Sequence, residues 1–255
     1  MLDIGYLNHL RRSEIRDVLP LFPQRARVLE FGSGTGEQAR FLAEQGFDVV
    51  ALDLATSNYA SERTYPVEDY DGHHIPLEDN SVDVIFSSNV LEHVENFEEI
   101  CAEFQRVLRP NGFAVHVLPT TTWRFWSFIT GALDSIKAAA ELPLCVIRSR
   151  QTGDRKTQIV QQLRHAVSGF VPRPHGTSHN GFVELWAFSR KGWRRKFNRC
   201  GFEITNERPI GIFYSGTMLL GGNFSMERRR QLGRVFGSST RVYVVKPFRR
   251  AASKG

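Results

Sequence analysis

Acids and histidines set beside glycines carry most of the chemistry in this chain. Val28-Leu29-Glu30-Phe31 is a short apolar run holding one acid, and it breaks into Gly32-Ser33-Gly34-Thr35-Gly36. A helical stretch, Glu37–Gln45, then Gly46 and a second apolar run, Phe47–Leu52, lead to Asp53. Strand, glycine turn, helix, strand and terminal acid form the first half of a nucleoside-binding α/β unit. The glycines let backbone approach a ligand where a Cβ would collide. Asp53, 21 residues past Gly32, stands where a carboxylate accepts hydrogen bonds from both ribose hydroxyls. Position 37 discriminates between nucleosides. A dinucleotide fingerprint needs its third glycine there, with a bare helix N-terminus for pyrophosphate. Glu37 would repel phosphate, so the expected ligand carries ribose but no phosphate.

A second block follows in register. Asp71-Gly72-His73-His74-Ile75-Pro76 leads through Asp83-Val84-Ile85 into Ser87-Ser88-Asn89-Val90-Leu91-Glu92-His93-Val94. A helix is expected over Phe97–Leu108, closed by Arg109-Pro110-Asn111-Gly112, and a strand over Phe113–Leu118. This order resembles the class I S-adenosylmethionine-dependent methyltransferases over Val28 to Pro119, with three linked motifs at the family's spacing. Two departures are Glu30, where many members have Asp, and Asn111-Gly112 in place of Gly-Gly, a turn Asn also makes. The resemblance implies S-adenosyl-L-methionine as cofactor. It places the methionine portion at the glycine turn, ribose at Asp53, adenine at Asp71, and the transferring methyl over Asn89 to His93. The cofactor-binding set it implies is Glu30, Gly32, Gly34, Gly36, Asp53, Leu54, Asp71, Gly72 and Asn89.

The methyl on a sulfonium is already electrophilic, so such a protein must align a nucleophile with the C–S bond and exclude water. For a hydroxyl nucleophile a nearby base helps. After Val84-Ile85-Phe86 the chain reads Ser87-Ser88-Asn89-Val90, not the Asn/Asp-Pro-Pro-aromatic run used on exocyclic amines, and no Pro-Cys pair offers a nucleophile for pyrimidine carbon. An oxygen acceptor on a small, lipid-linked or glycan metabolite is expected, with carboxylate, amine and carbon acceptors left open. The catalytic candidates are His179, His175, His93 and Glu184. Three of them lie in the glycine-rich loop from His175 to Glu184, which reads either as an acceptor pocket or as a solvated loop. Two histidines and a glutamate on a loop are poor metal spacing, and no metal is expected. His93 serves either structural hydrogen bonding or substrate contact. His116, among Ala114, Val115 and Val117, reads as a core histidine, and His73 and His74 as backbone framing for adenine.

The elements that must position these residues are a single α/β domain. The expected fold is a Rossmann-like, doubly wound seven-stranded sheet with an antiparallel last strand and a mainly helical insertion after strand five. Residues 1–26 form a helical lid or docking segment, 27–119 the cofactor-binding core, 120–184 the insertion with the acceptor region, and 185–255 the completion of the sheet. Trp123, Phe125, Trp126 and Phe128 in the insertion read as core packing, as acceptor pocket or as an interfacial surface. Net charge is −11 over residues 1–119, +4 over 120–184 and +13 over 185–255. The basic C-terminal third either draws an anionic partner or, through Arg194, Arg195, Lys196 and Arg199, forms a solvated face that neutralises the acidic half. Peripheral contact with a membrane is one expectation, with Arg228-Arg229-Arg230 and Arg249-Arg250 as its basic elements; nucleic acid is not the expected partner. Cys101, Cys145 and Cys200 lack metal or redox spacing, and no signal peptide or run of 18 apolar residues is present, so a cytoplasmic location is expected. Two rival functions remain: an RNA methyltransferase guided by the basic third, and a non-catalytic binding protein on the cofactor fold.

Overall fold

Val28 to Phe31 are buried without alternation, as a central strand of a parallel sheet covered on both faces requires. The computed structural model describes residues 4–148, 155–170, 174–178, 180–216 and 224–248. In chain order the elements are α1 (Ile4–Val18), β1 (Arg27–Phe31), α2 (Glu37–Glu44), β2 (Asp48–Leu54), β3 (Glu68–Tyr70), β4 (Val82–Ser88), α3 (Phe97–Val107) and β5 (Leu108–Pro119). The insertion supplies α4 (Thr121–Ala140), α5 (Leu142–Arg148), α6 (Arg155–Ser168) and α7 (Gly181–Ala187). The chain then returns through α8 (Arg190–Arg199), β6 (Phe202–Pro209), α9 (Met226–Phe236) and β7 (Thr240–Pro247). The sheet order is β3-β2-β1-β4-β5-β7-β6, parallel except for β7, which runs antiparallel to both neighbours. The expected seven-stranded topology is therefore what forms. Strand order reverses at β1, so a crevice opens between the carboxyl ends of β1 and β4.

Packing beneath that crevice is aromatic. Phe97, Ile100, Cys101, Phe104 and Val107 make one buried stripe on α3, at the spacing of an amphipathic helix. Phe104 meets Phe31 edge-on at 5.0 Å. His116 lies between Phe104 and Phe197, stacked on both, with Nδ1 2.8 Å from Ser87 Oγ. Full burial pushes its pKa down to about 3, so it is a neutral core histidine, as its strand neighbours implied.

Two expectations are corrected. The aromatic patch and the alanine-rich piece are one 20-residue helix, α4, started by Thr120, whose Oγ1 accepts from Trp123 N at 3.1 Å. Trp123 is buried while Phe125 is exposed, so the patch is divided between core and surface. The run Arg228-Arg229-Arg230 is also not a free basic surface, whereas Arg194, Arg195 and Arg199 are exposed, as the solvated-face reading expected. Arg190 and Arg194 pair with Glu207, and Lys196 Nζ lies 4.7 Å from the Phe97 ring centroid. Arg229 is buried over the Tyr6 ring, and Arg230 pairs with Asp17 at 2.8 Å. Buried or paired cations are not available to an anionic surface in the way the run Arg228-Arg229-Arg230 suggested. Arg249 and Arg250 lie outside the described residues.

The N-terminal helix is tied down over the crevice. Glu14 is fully buried, accepting from Tyr214 Oη (3.0 Å), Thr240 Oγ1 (2.5 Å) and Arg11 Nη1 (2.6 Å). Among the described residues no helix is long and apolar enough to cross a membrane.

Candidate active site

The crevice at the ends of β1 and β4 opens into a cavity of about 890 Å³, a volume that suits a nucleoside-sized ligand together with a small acceptor. Gly32 ends β1 at φ +77°, and a Cβ there would lie 2.5 Å from Val90, just past β4, so the two strand ends can meet only around glycine. Asp53 is fixed at the tip of β2. Its Oδ2 accepts from Gly34 N (2.8 Å) and Ser57 Oγ (2.9 Å), and its Oδ1 from Leu54 N (2.8 Å). Asp71 Oδ1 accepts from His73 N (2.8 Å) and His74 N (2.7 Å), bonds that hold its carboxyl below the usual range. Gly32, Gly34, Asp53, Leu54, Asp71, Gly72 and Asn89 all line the cavity.

Two members of the expected set do not. Glu30 is buried beneath the turn, its pKa pushed up to about 8 by burial, and it does not line the cavity. Gly36 starts α2 in the left-handed region and packs against Tyr65, whose Cβ would be 2.8 Å from an added Cβ, so its glycine serves the turn rather than a ligand. Glu37 does line the cavity, paired with Arg40 and 3.7 Å from Arg12. The first turn of α2 thus holds a carboxylate of its own where a dinucleotide site holds phosphate, and a ribose-bearing, phosphate-free ligand fits. Leu7, Asn8 and Arg11 on α1, with Ser57, Tyr59 and Tyr70, complete the walls. No sequence motif marked these six.

At the far end, His93 and His175 stand ring against ring, centroids 4.7 Å apart, with Trp123 4.6 Å from His175. Both histidines line the cavity. Burial by surrounding groups lowers the pKa of His93 and, with His93 and Arg124 nearby, that of His175 to about 4. Both rings are therefore neutral near pH 7 and present a lone pair. Beside them Glu92 is buried with neither carboxylate oxygen hydrogen-bonded, and burial raises its pKa to about 7.

Glu184 is corrected from candidate base to structural clamp. Its side chain is fully buried, 2.7 Å from Arg124 Nε, and its Oε1 accepts from His175 N and Gly176 N, each at 2.7 Å. A carboxylate buried this way, Oε1 on two backbone N–H groups and Oε2 beside the Arg124 charge, holds the loop in place and does not line the cavity. His179 lies outside the described residues. His73 and His74 turn their rings to Glu99 and Glu103, leaving only their backbone at the site. A second cavity, about 520 Å³ between Thr120–Thr122 and the start of β7, is lined by neither acid nor histidine.

Comparison with known proteins agrees with this geometry. A family model described as a methyltransferase domain matches residues 29–116. The chain is 36% identical over 107 residues to the biotin biosynthesis bifunctional protein BioHC of Cellvibrio japonicus, covering 40% of this chain and 21% of that protein. It is 34% identical over 117 residues to a malonyl-[acyl-carrier protein] O-methyltransferase of Yersinia pestis, covering 44% and 40%. The match spans less than half the length of these relatives. An S-adenosylmethionine-dependent methyltransferase of Mesorhizobium loti superposes with a TM-score of 0.53 at 14% identity, over 91% of this chain and 97% of that one. Residues 29–116 thus match a methyltransferase domain, in a chain that has the fold of S-adenosylmethionine-dependent methyltransferases.

Proposed function

We propose that this protein transfers a methyl group from S-adenosyl-L-methionine to an oxygen of a small, carrier-linked or lipid-linked metabolite. One observation carries the reading: a single cavity is lined by the Asp53 and Asp71 carboxylates and by the paired rings of His93 and His175. Bound there, the cofactor supplies an electrophilic methyl on a sulfonium. Asp53, oriented by Gly34 and Ser57, takes the ribose hydroxyls, and Asp71 meets the adenine amino group. Asn89, at φ +55° past the end of β4, lies between the cofactor walls and the histidines. His93 and His175 line the cavity where an acceptor hydroxyl would be positioned toward the methyl. Trp123 packs against the His175 ring, and Leu7, Asn8 and Arg11 of α1 line the same cavity.

Oxygen is favoured because Ser87-Ser88-Asn89-Val90 lacks the amine-methylating run and because the malonyl-carrier relative is an O-methyltransferase. A lipid-linked acceptor draws support from Phe125, Ile129, Leu133 and Ile136, exposed at helical spacing along α4. The test is a cell-extract screen with methyl-labelled cofactor, followed by mass spectrometry of the labelled product. An O-methyl product of low mass, or on a carrier or lipid, is expected. Labelled RNA, or binding of S-adenosylhomocysteine without any turnover, would replace the reading with one of its two rivals.

A further inference from the structure

We propose that Glu92, His93 and His175 form a binding site for a divalent transition-metal ion at the acceptor end of the cavity. One ligand atom from each lies within 4.8 Å of the other two. Metal–ligand distances of about 2.0–2.2 Å bring such atoms somewhat closer, by a contraction that side-chain rotation supplies.

The strongest argument is the state of Glu92. Its carboxyl is buried, and neither oxygen has a hydrogen-bond partner. Protonation does not resolve this, because a neutral carboxyl leaves a buried donor and acceptor unmet in place of a buried charge. The nearest basic group, His93 Nε2, is 3.9 Å away, beyond hydrogen-bond reach. Arg11 is already engaged by Glu14 and Tyr214. Glu14 is met by three donors, and Glu184 by two backbone N–H groups and the charge of Arg124; Glu30 leaves one oxygen without a donor, whereas Glu92 leaves both. A cation between Glu92 and the imidazoles is the partner the geometry lacks.

The second argument is that His175 is held there by construction. Glu184 grips the N–H groups of His175 and Gly176, while Thr177 N donates to Glu92 O at 2.9 Å. A Cβ on Gly176 would lie 2.2 Å from that same carbonyl oxygen. The loop is therefore pinned onto the Glu92 peptide, and only glycine allows the approach. Two imidazoles with one carboxylate suit zinc or ferrous iron, whereas magnesium and calcium prefer oxygen ligands. Both histidines line the cavity, so further positions on the ion are reached from it. That an acceptor oxygen fills one of them rests on the methyl-transfer reading; ion binding itself does not.

The test uses the full chain, stripped with chelator and titrated with cobalt(II) while visible d–d absorption is followed. Saturable binding at one site, displaced by zinc(II), is expected. Glu92→Gln and His175→Ala should each weaken it by more than the roughly 10- to 100-fold typical of losing an outer-shell partner. His74→Ala, whose ring pairs with Glu103, should leave the titration unchanged. Circular dichroism and S-adenosylhomocysteine calorimetry on the same samples separate misfolding and loss of cofactor from loss of metal. If Glu92→Gln does not fold, His175→Ala decides alone, since its ring is at the surface of the cavity. Absence of a cobalt spectrum in the wild type, or unchanged affinity in His175→Ala, would overturn the site. Failure of calorimetry with cobalt binding intact would instead overturn the cofactor reading.

Discussion

Residues 27–119 and 120–184 meet across one cavity, but they place their functional groups by different means. On the cofactor side the geometry is local. Gly34 N and Ser57 Oγ reach Asp53 from within a few residues of the same turns, so short-range contacts set the carboxylate. On the acceptor side it is long-range. His175 sits beside His93 because Arg124 on α4 holds Glu184 on α7, which holds the loop, and because Thr177 N ties the same loop to Glu92 O. A site built on backbone turns leaves a sequence signature, whereas one built on a buried ion pair between distant helices leaves almost none.

If the acceptor side depends on that histidine, the largest effect should follow its loss. His175→Ala is expected to lower turnover about 10²- to 10⁴-fold while S-adenosylhomocysteine affinity barely moves, as read by single-turnover kinetics beside calorimetry. Wild-type turnover would leave proximity alone to do the chemistry. Next comes the clamp. Arg124→Ala leaves Glu184 buried and unpaired, an expected loss of about 3–5 kcal/mol in urea unfolding, with the acceptor side failing before the cofactor side. A loss below 1 kcal/mol would mean that Glu184 is held by the two N–H groups alone.

A smaller effect probes the buried acid beneath the cofactor turn. Glu30 has its pKa raised to about 8, chiefly by burial, so the folded state keeps a proton that the unfolded chain has released. Its contribution is fully present below the ordinary carboxyl range and is lost as pH rises through about 8. His116, lowered to about 3, acts in the opposite sense and only below the ordinary histidine range, about 6.5. Between pH 6.5 and 8 stability should therefore fall by about 2 kcal/mol on account of Glu30, and Glu30→Gln should flatten that fall to the part due to Glu92. An unchanged slope would mean that Glu30 is ionised in the folded state. The weakest expected effect is on the surface. Vesicle flotation should show reversible binding that Leu133→Glu on α4 reduces, and because Arg229 and Arg230 are engaged within the fold, salt should weaken it only modestly. Salt-abolished binding indifferent to Leu133 would return the contact to exposed cations.

Legibility in the sequence follows the same division. That Gly32, Asp53, Asp71 and Asn89 would gather at one cavity was readable because turns and strand tips recur at fixed spacing, and the sheet topology followed from the same strand–helix alternation. His116 was readable from its apolar strand neighbours. That Glu30 and Gly36 do not line the cavity was not readable, because a motif names a turn without saying which of its residues face outward. Glu184 was misread as a base because an acid in a polar loop gives no sign of a buried arginine arriving from α4. The run Arg228-Arg229-Arg230 suggested a basic surface because composition cannot show that Tyr6 and Asp17, from the other end of the chain, cover it.

The central claim is that the cavity at the ends of β1 and β4 binds S-adenosylmethionine, with Asp53 on the ribose. Titration calorimetry of S-adenosylhomocysteine against wild type and Asp53→Ala tests it most directly. Loss of the paired, charge-assisted hydrogen bonds should cost roughly 1.5–3 kcal/mol, an affinity about 10- to 150-fold weaker, with the circular dichroism spectrum unchanged. Equal affinity in the two proteins, or no binding by a folded wild type, would contradict the account.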